Sequence, residues 1–200
     1  MSSKIISGTT NKLIVSFSGQ GNGMGTLPQF EFVNFLQKYF PDYEKHFYLD
    51  THSVWYHKGI EGISTTISET VTYLYKQIQN FTEVTFIGSS AGGYAAILFG
   101  SLLGIQTVIA FKPQTQLVRG LDRDYRDVKP YMNPGTTYYI YGDITVKKEN
   151  DPLHHISHCN HINRGKNVHL CTDYVVDLRN MRDKGELEKI MKGHLLGVSY

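Results

Sequence analysis

The chain has 200 residues, with 20 Lys and Arg against 18 Asp and Glu and a formal net charge of +2. That size suits one domain with a substantial core and leaves little room for an elaborate cap. The near-neutral balance, with no basic run beyond pairs such as Lys147-Lys148, argues against nucleic-acid and membrane-surface partners. Cys159 and Cys171 form neither a disulfide framework nor a CxxC zinc spacing, so reduced thiols and a cytoplasmic location are expected. No apolar stretch reaches secretory or membrane-spanning length, so no membrane insertion is expected.

Apolar runs alternate with amphipathic segments along the chain, which predicts an α/β domain built on a mostly parallel sheet. Leu13 to Phe17 reads as the first strand, with an edge strand near Lys4 to Ile6. Pro28 opens a helix over residues 29–40, and Pro41 stops it. Phe47 to Leu49 reads as a strand, followed by a loop through Gly62 and a helix over residues 63–79 with Ile67, Val71, Leu74 and Ile78 on one face. Val84 to Ile87 is a buried strand, Tyr94 to Leu103 a helix of small residues, and Gln106 to Ala110 another strand. Residues 111–135 are polar, charged and Pro-bearing, and read as an excursion away from the core. Thr137 to Tyr141 is a strand, residues 152–163 a helix, Val168 to Cys171 the last strand and residues 175–192 the final helix. A single domain with five to seven strands and helices on both faces follows.

Between the strand and the helix of small residues lies Gly88-Ser89-Ser90-Ala91-Gly92-Gly93. Gly88-x-Ser90-x-Gly92 in that setting is the pattern of a sharp turn that exposes a nucleophilic serine above a sheet. The glycines leave room where side chains would crowd the neighbouring elements. Ser90 is therefore the candidate nucleophile, against the reading of an ordinary glycine-rich turn. A tetrahedral intermediate on Ser90 needs two backbone donors. Ala91 supplies one, and Gly19 or Gln20, in the glycine-rich loop after the first central strand, supplies the other. That loop lacks the Lys-Ser/Thr of a phosphate-binding loop and the dinucleotide spacing, so no nucleotide site is expected.

The orienting acid is expected after residues 137–141. Asp151 is preferred and Asp143 is the alternative, although either is also an ordinary turn or cap acid. The base belongs by chain order after the last strand, and Thr172-Asp173-Tyr174 contains no histidine. His194 follows a helix of about eighteen residues, which puts it roughly 27 Å from the active edge of the sheet. His57 lies in a loop near that edge, and His154 belongs to a group with His158 and His161 at three- and four-residue spacing. Metal binding by that group is not expected. Trp55 and Tyr56 form a candidate stacking surface for a sugar ring, or pack within their loop.

Residues 88–96 resemble the elbow of α/β-hydrolase-fold proteins. More narrowly, the chain resembles a small branch that includes capsule polysaccharide O-acetyltransferases and glycosyltransferase-associated serine esterases. The likeness runs through Asp50 to Trp55-Tyr56-His57-Lys58-Gly59, Ala110-Phe111-Lys112-Pro113-Gln114-Thr115, Asp151-Pro152-Leu153-His154 and residues 175–187. The resemblance implies an α/β-hydrolase fold with a minimal cap, and favours Asp151 through its Asp-x-x-His segment. It also implies a histidine immediately before Val175-Val176, where this chain has Asp173 and Tyr174.

Two functions follow. The first is a serine esterase or O-acyltransferase acting on a small-molecule ester or a carbohydrate through an acyl-enzyme on Ser90. It needs no permanently bound cofactor, and acetyl-CoA is a candidate donor for a transferase. The second is a catalytically impaired protein that keeps the pocket and binds a glycan or other ligand.

Overall fold

Along Lys12–Phe17 the side chains of Leu13, Val15 and Phe17 point to one face and Ile14 to the other, all fully buried. Thr107–Phe111 repeats the pattern, with Val108 and Ala110 on the first face and Ile109 and Phe111 on the second. Strands apolar on both faces need cover on both, which is the condition of a parallel sheet inside helical layers. The computed structural model, which describes residues 1–20, 29–118 and 122–198, has that architecture.

Its strands are β1 (Ser3–Ile6), β2 (Lys12–Phe17), β3 (Glu44–Tyr48), β4 (Glu83–Ser89), β5 (Thr107–Phe111), β6 (Thr137–Tyr141) and β7 (Val168–Cys171). They form one sheet in the order β1-β3-β2-β4-β5-β6-β7. Every pairing is parallel except that of β1 with β3. Helices α2 (Ile67–Ile78), α3 (Ala91–Leu103) and α4 (Ser157–Ile162) contribute to one apolar layer. Helices α1 (Val33–Tyr39), α5 (Leu178–Asp183) and α6 (Glu186–Leu196) contribute to the other. The chain leaves β2 toward β3 on one side, and β4 toward β5 on the other. Such a reversal opens a crevice beyond the carboxyl ends of the two strands, and both the loop after β2 and the turn after β4 emerge there.

The strands match the expected set, with small shifts at their ends. The helices differ more, and local signals explain how. Residues 63–66 stay outside α2 because Thr66 caps it, accepting from the Glu69 amide at 3.1 Å while Glu69 reaches back to Thr65. Of the helix expected over 29–40, only Val33–Tyr39 is helical, and Pro28 lies outside the described residues. The single final helix is two, broken at Lys184-Gly185, where Gly185 takes φ 75°. The helix expected over 152–163 contracts to Ser157–Ile162, and residues 152–156 form turns and a bend.

The 111–135 excursion is not wholly outside the core. Thr115 and Val128 are fully buried and Gln114 is 3% exposed, because this segment folds back over α3 and α4. It includes a short 3-10 turn at Lys129–Tyr131.

Candidate active site

The turn after β4 is as tight as two glycines permit. A Cβ on Gly88 would lie 2.1 Å from the Gly92 carbonyl oxygen, and one on Gly92 would lie 2.1 Å from that of Phe17. Ser90 itself adopts φ 55° and ψ −119°, a conformation that costs a non-glycine residue about 1–3 kcal/mol. Its amide is held by the Phe111 carbonyl at 2.9 Å, and its carbonyl accepts from Tyr94 at 3.0 Å. The strained residue is thus pinned from β5 and from its own helix, and is half-buried at the carboxyl edge of the sheet.

His154 Nε2 lies 2.8 Å from Ser90 Oγ. Its other ring nitrogen, Nδ1, is 2.9 and 2.8 Å from the two carboxylate oxygens of Asp151. A carboxylate only accepts, so Nδ1 carries the proton and Nε2 presents its lone pair to the serine hydroxyl. The same carboxylate accepts from the His154 backbone amide at 3.2 Å. One Asp-x-x-His turn therefore supplies both members, with no second strand end required. The turn is anchored by α4. His158 Nδ1 accepts from the Thr115 amide at 3.1 Å, and Cys159 and Ile156 pack where a side chain at Gly142 would collide.

The other expected bases are engaged elsewhere. His194 Nε2 hydrogen-bonds the Tyr141 hydroxyl at 2.7 Å and stacks on Tyr139 at 3.6 Å between ring centroids. Burial, aided by His169, pushes its pKa down to about 4. The break at Gly185 shortens its helix, yet His194 stays packed against β6. His57 accepts from the Asp122 amide at 3.1 Å through Nδ1 and donates from Nε2 to the Tyr94 hydroxyl at 2.8 Å. It is buried, with a lowered pKa because burial disfavours its charged form, and it ties the excursion to α3. The alternative acid, Asp143, accepts from Thr145 and from the Val176 amide at 2.9 Å. Burial works to raise its pKa, but those hydrogen bonds outweigh it and hold the carboxylate below its usual range. Asp143 orients the segment leading into α5 rather than a histidine.

Ala91 opens α3, where the leading amides have no acceptor within the helix and the helix dipole favours negative charge. Gly19 approaches the elbow closely: a Cβ there would be 3.1 Å from the Ser89 carbonyl and 3.6 Å from Ser90 Cβ. The geometry thus brings the Gly19 backbone beside the serine. Gln20 follows it, with its side-chain Nε2 buried and unpartnered, and Gly21 to Gly23 lie outside the described residues.

Two neighbours were not assigned roles from sequence. Glu31 is hydrogen-bonded to the Gly19 amide, has its Oε2 buried without a partner, and burial raises its pKa to about 7. Its backbone is fixed to the end of β2, through Ser16 and Ser18. The only signal for it was a charge between Phe30 and Phe32. Gln114 is the second: its Oε1 accepts from the Trp55 indole, and its Nε2 lies 3.4 Å from His154 Nε2. Trp55 is therefore at the site's edge, whereas Tyr56 is fully buried, with its hydroxyl 2.9 Å from the Ser18 and Tyr48 carbonyls. Tyr56 is core and offers no stacking face. A separate groove of about 390 Å³ runs between residues 29–35 and α5; it shares Glu31 but includes neither Ser90 nor His154. Among the described residues no group of three or more His, Cys, Asp or Glu could hold a metal, and no helix is long and apolar enough to cross a membrane.

No family model and no curated protein matches the chain. Solved structures do match. A variant of the capsule O-acetyltransferase of Neisseria meningitidis serogroup A, in complex with CoA, superposes with a TM-score of 0.69 at 13% identity, covering 95% of this chain and 91% of that one. An alpha/beta hydrolase enzyme from a Medee basin deep-sea metagenome library gives 0.62 at 11% identity, over 99% and 94% of the two chains. A fluorophosphonate-binding serine hydrolase of Staphylococcus aureus gives 0.51 at 12%, over 84% and 76%. With its seven-stranded, mostly parallel sheet, helices on both faces and minimal cap, the chain has the α/β-hydrolase fold.

Proposed function

We propose that this protein is a serine-dependent ester hydrolase or O-acyltransferase in which Ser90, His154 and Asp151 act together. The observation that carries the reading is the continuous line from Asp151 through His154 to Ser90 Oγ, with its last link at 2.8 Å. Ser90 Oγ attacks an ester carbonyl while its proton passes to His154 Nε2. Asp151 holds the imidazole in the required tautomer and stabilises the imidazolium. The Ala91 amide and the Gly19 or Gln20 amide donate to the oxyanion. Collapse breaks the bond to the leaving group, which takes the proton from His154, and an acyl group remains on Ser90. Water or a hydroxyl acceptor then resolves the acyl-enzyme by the same steps in reverse.

The likeness to a capsule O-acetyltransferase solved with CoA supports a carbohydrate hydroxyl as acceptor and acetyl-CoA as a donor substrate. The alternative of an impaired binding protein rested on Asp173 and Tyr174 standing where a histidine was expected. His154, arriving from the loop after β6, weighs against it.

A fluorophosphonate probe separates the two. Labelling of the native protein, lost in Ser90→Ala and slowed about a thousandfold in His154→Ala, is the expected result. A folded native protein that stays unlabelled refutes the enzyme and leaves the binding protein. Product analysis with acetyl-CoA, with and without a sugar acceptor, then distinguishes transfer from hydrolysis.

A further inference from the structure

The side-chain amide of Gln114 has only one possible orientation. The indole Nε1 of Trp55 is a donor without acceptor capacity, so the Gln114 atom beside it must be the carbonyl oxygen. The NH2 group is thereby turned toward the reacting centre, 3.4 Å from His154 Nε2. Everything around this amide is held. Gln114 is 3% exposed, its backbone amide approaches the Ser90 carbonyl at 3.4 Å, and Pro113 packs so closely on Gly93 that a Cβ there would be 3.1 Å away. Thr115 is bonded to α4 through both its amide and its hydroxyl. Trp55 in turn sits in a loop with φ 53° at Ser53, 55° at Trp55 and 61° at Tyr56, whose Val54 and Tyr56 amides donate to the Asp50 carboxylate at 2.7 and 3.0 Å. A strained, clamped loop fixes the indole, and the indole fixes the amide.

From this we infer that Gln114 is a specificity-determining contact that donates a hydrogen bond to the alcohol oxygen entering or leaving at Ser90. The inference rests on the catalytic reading above. When the tetrahedral intermediate collapses, the carbon–oxygen bond of the ester breaks, and the leaving oxygen takes the proton from His154 Nε2. That oxygen must stand within hydrogen-bond reach of Nε2, and an NH2 group 3.4 Å from Nε2 reaches the same position. The amide transfers no proton. It lowers the cost of negative charge on the departing alkoxide and, in reverse, orients an attacking hydroxyl through its lone pair. The group favoured is an aliphatic alcohol, as in a sugar or polyol ester, because a thiolate sulfur accepts hydrogen bonds weakly and a stable phenolate needs little help.

The test compares ethyl acetate with p-nitrophenyl acetate for the native protein, Gln114→Leu and Trp55→Phe. Gln114→Leu is expected to lower kcat/KM for ethyl acetate about 10- to 100-fold more than for p-nitrophenyl acetate. Trp55→Phe, which frees the amide to turn, is expected to move the same ratio in the same direction by a smaller factor. Equal losses on both esters in both variants, or none, would overturn the inference, since a merely structural role has no preference for leaving group. Fluorophosphonate labelling of the native protein is measured alongside. Its absence would overturn the catalytic reading itself, whereas labelling with an unchanged ester ratio overturns only the role of Gln114.

Discussion

Glu31 stands beside Gly19 with one carboxylate oxygen unpartnered, and burial lifts its pKa from 4.5 to about 7. The unfolded chain ionises this group near 4.5, while the folded protein keeps it protonated until about pH 7. Stability from the group is therefore complete below pH 4.5 and is lost as pH rises through 7, by up to about 3 kcal/mol. Glu31→Gln, which cannot ionise, should match the native protein at pH 4.5 and exceed it at pH 8, as read by urea unfolding across that range. A gap that stays constant with pH would mean that Glu31 is solvated in the native state. The residue's position also bears on the proposed chemistry: its carboxylate accepts from the Gly19 amide, one of the two proposed second oxyanion donors. Nothing in the pattern around Phe30-Glu31-Phe32 announced this, because the contact is tertiary: the Glu31 amide meets the Ser18 hydroxyl at 3.0 Å across the loop.

The elbow, an element of strand, turn and helix, was legible in the sequence because its constraint is local. Gly88 and Gly92 are needed within one turn, and the apolar run and small-residue helix flank them directly. Gly92→Ala places a Cβ 2.1 Å from the Phe17 carbonyl oxygen, a backbone atom that cannot swing aside. A loss of about 3 kcal/mol is expected, read as a lower melting temperature. Gly185→Ala is the control: it meets no atom within 4 Å and bears only the strain of φ 75°, about 1 kcal/mol. Comparable losses at the two sites would refute the packing argument. The helices at the end of the chain were harder to read. The pattern over 175–192 runs on through Lys184-Gly185 without a proline, yet Asp177 caps the first piece and Gly185 starts the second. In the 152–163 segment the histidine spacing suggested one helical face. The structure instead puts His154 on a turn with Asp151, His158 on Thr115, and His161 on Asp127 at 2.9 Å.

Across the molecule, buried His46 and His57 and half-buried His158 and His194 all have lowered pKa values, chiefly because removal from water disfavours the charged ring. Each contributes stability that is complete above its unfolded value near 6.5 and is lost as pH falls toward its folded value, about 4 for His194. The groups that meet them, Glu44 at His46 and Asp122 beside His57, oppose the shift without reversing it. In Glu31→Gln, where the opposing contribution of the glutamate is gone, urea midpoints should therefore drop between pH 7 and pH 5, while in the native protein Glu31 offsets part of that drop. A flat profile over that interval in Glu31→Gln would show that these histidines are not held neutral by burial. The sequence by itself determined the layered sheet and the elbow on which Ser90 sits, because alternation, chain order and close glycine contacts act over a few residues. Only the tertiary structure decided which histidine meets the serine. His154 reaches Ser90 from 64 positions away because β6 lies two strands from β4 and α4 docks on Gly142, and no local pattern encodes that distance.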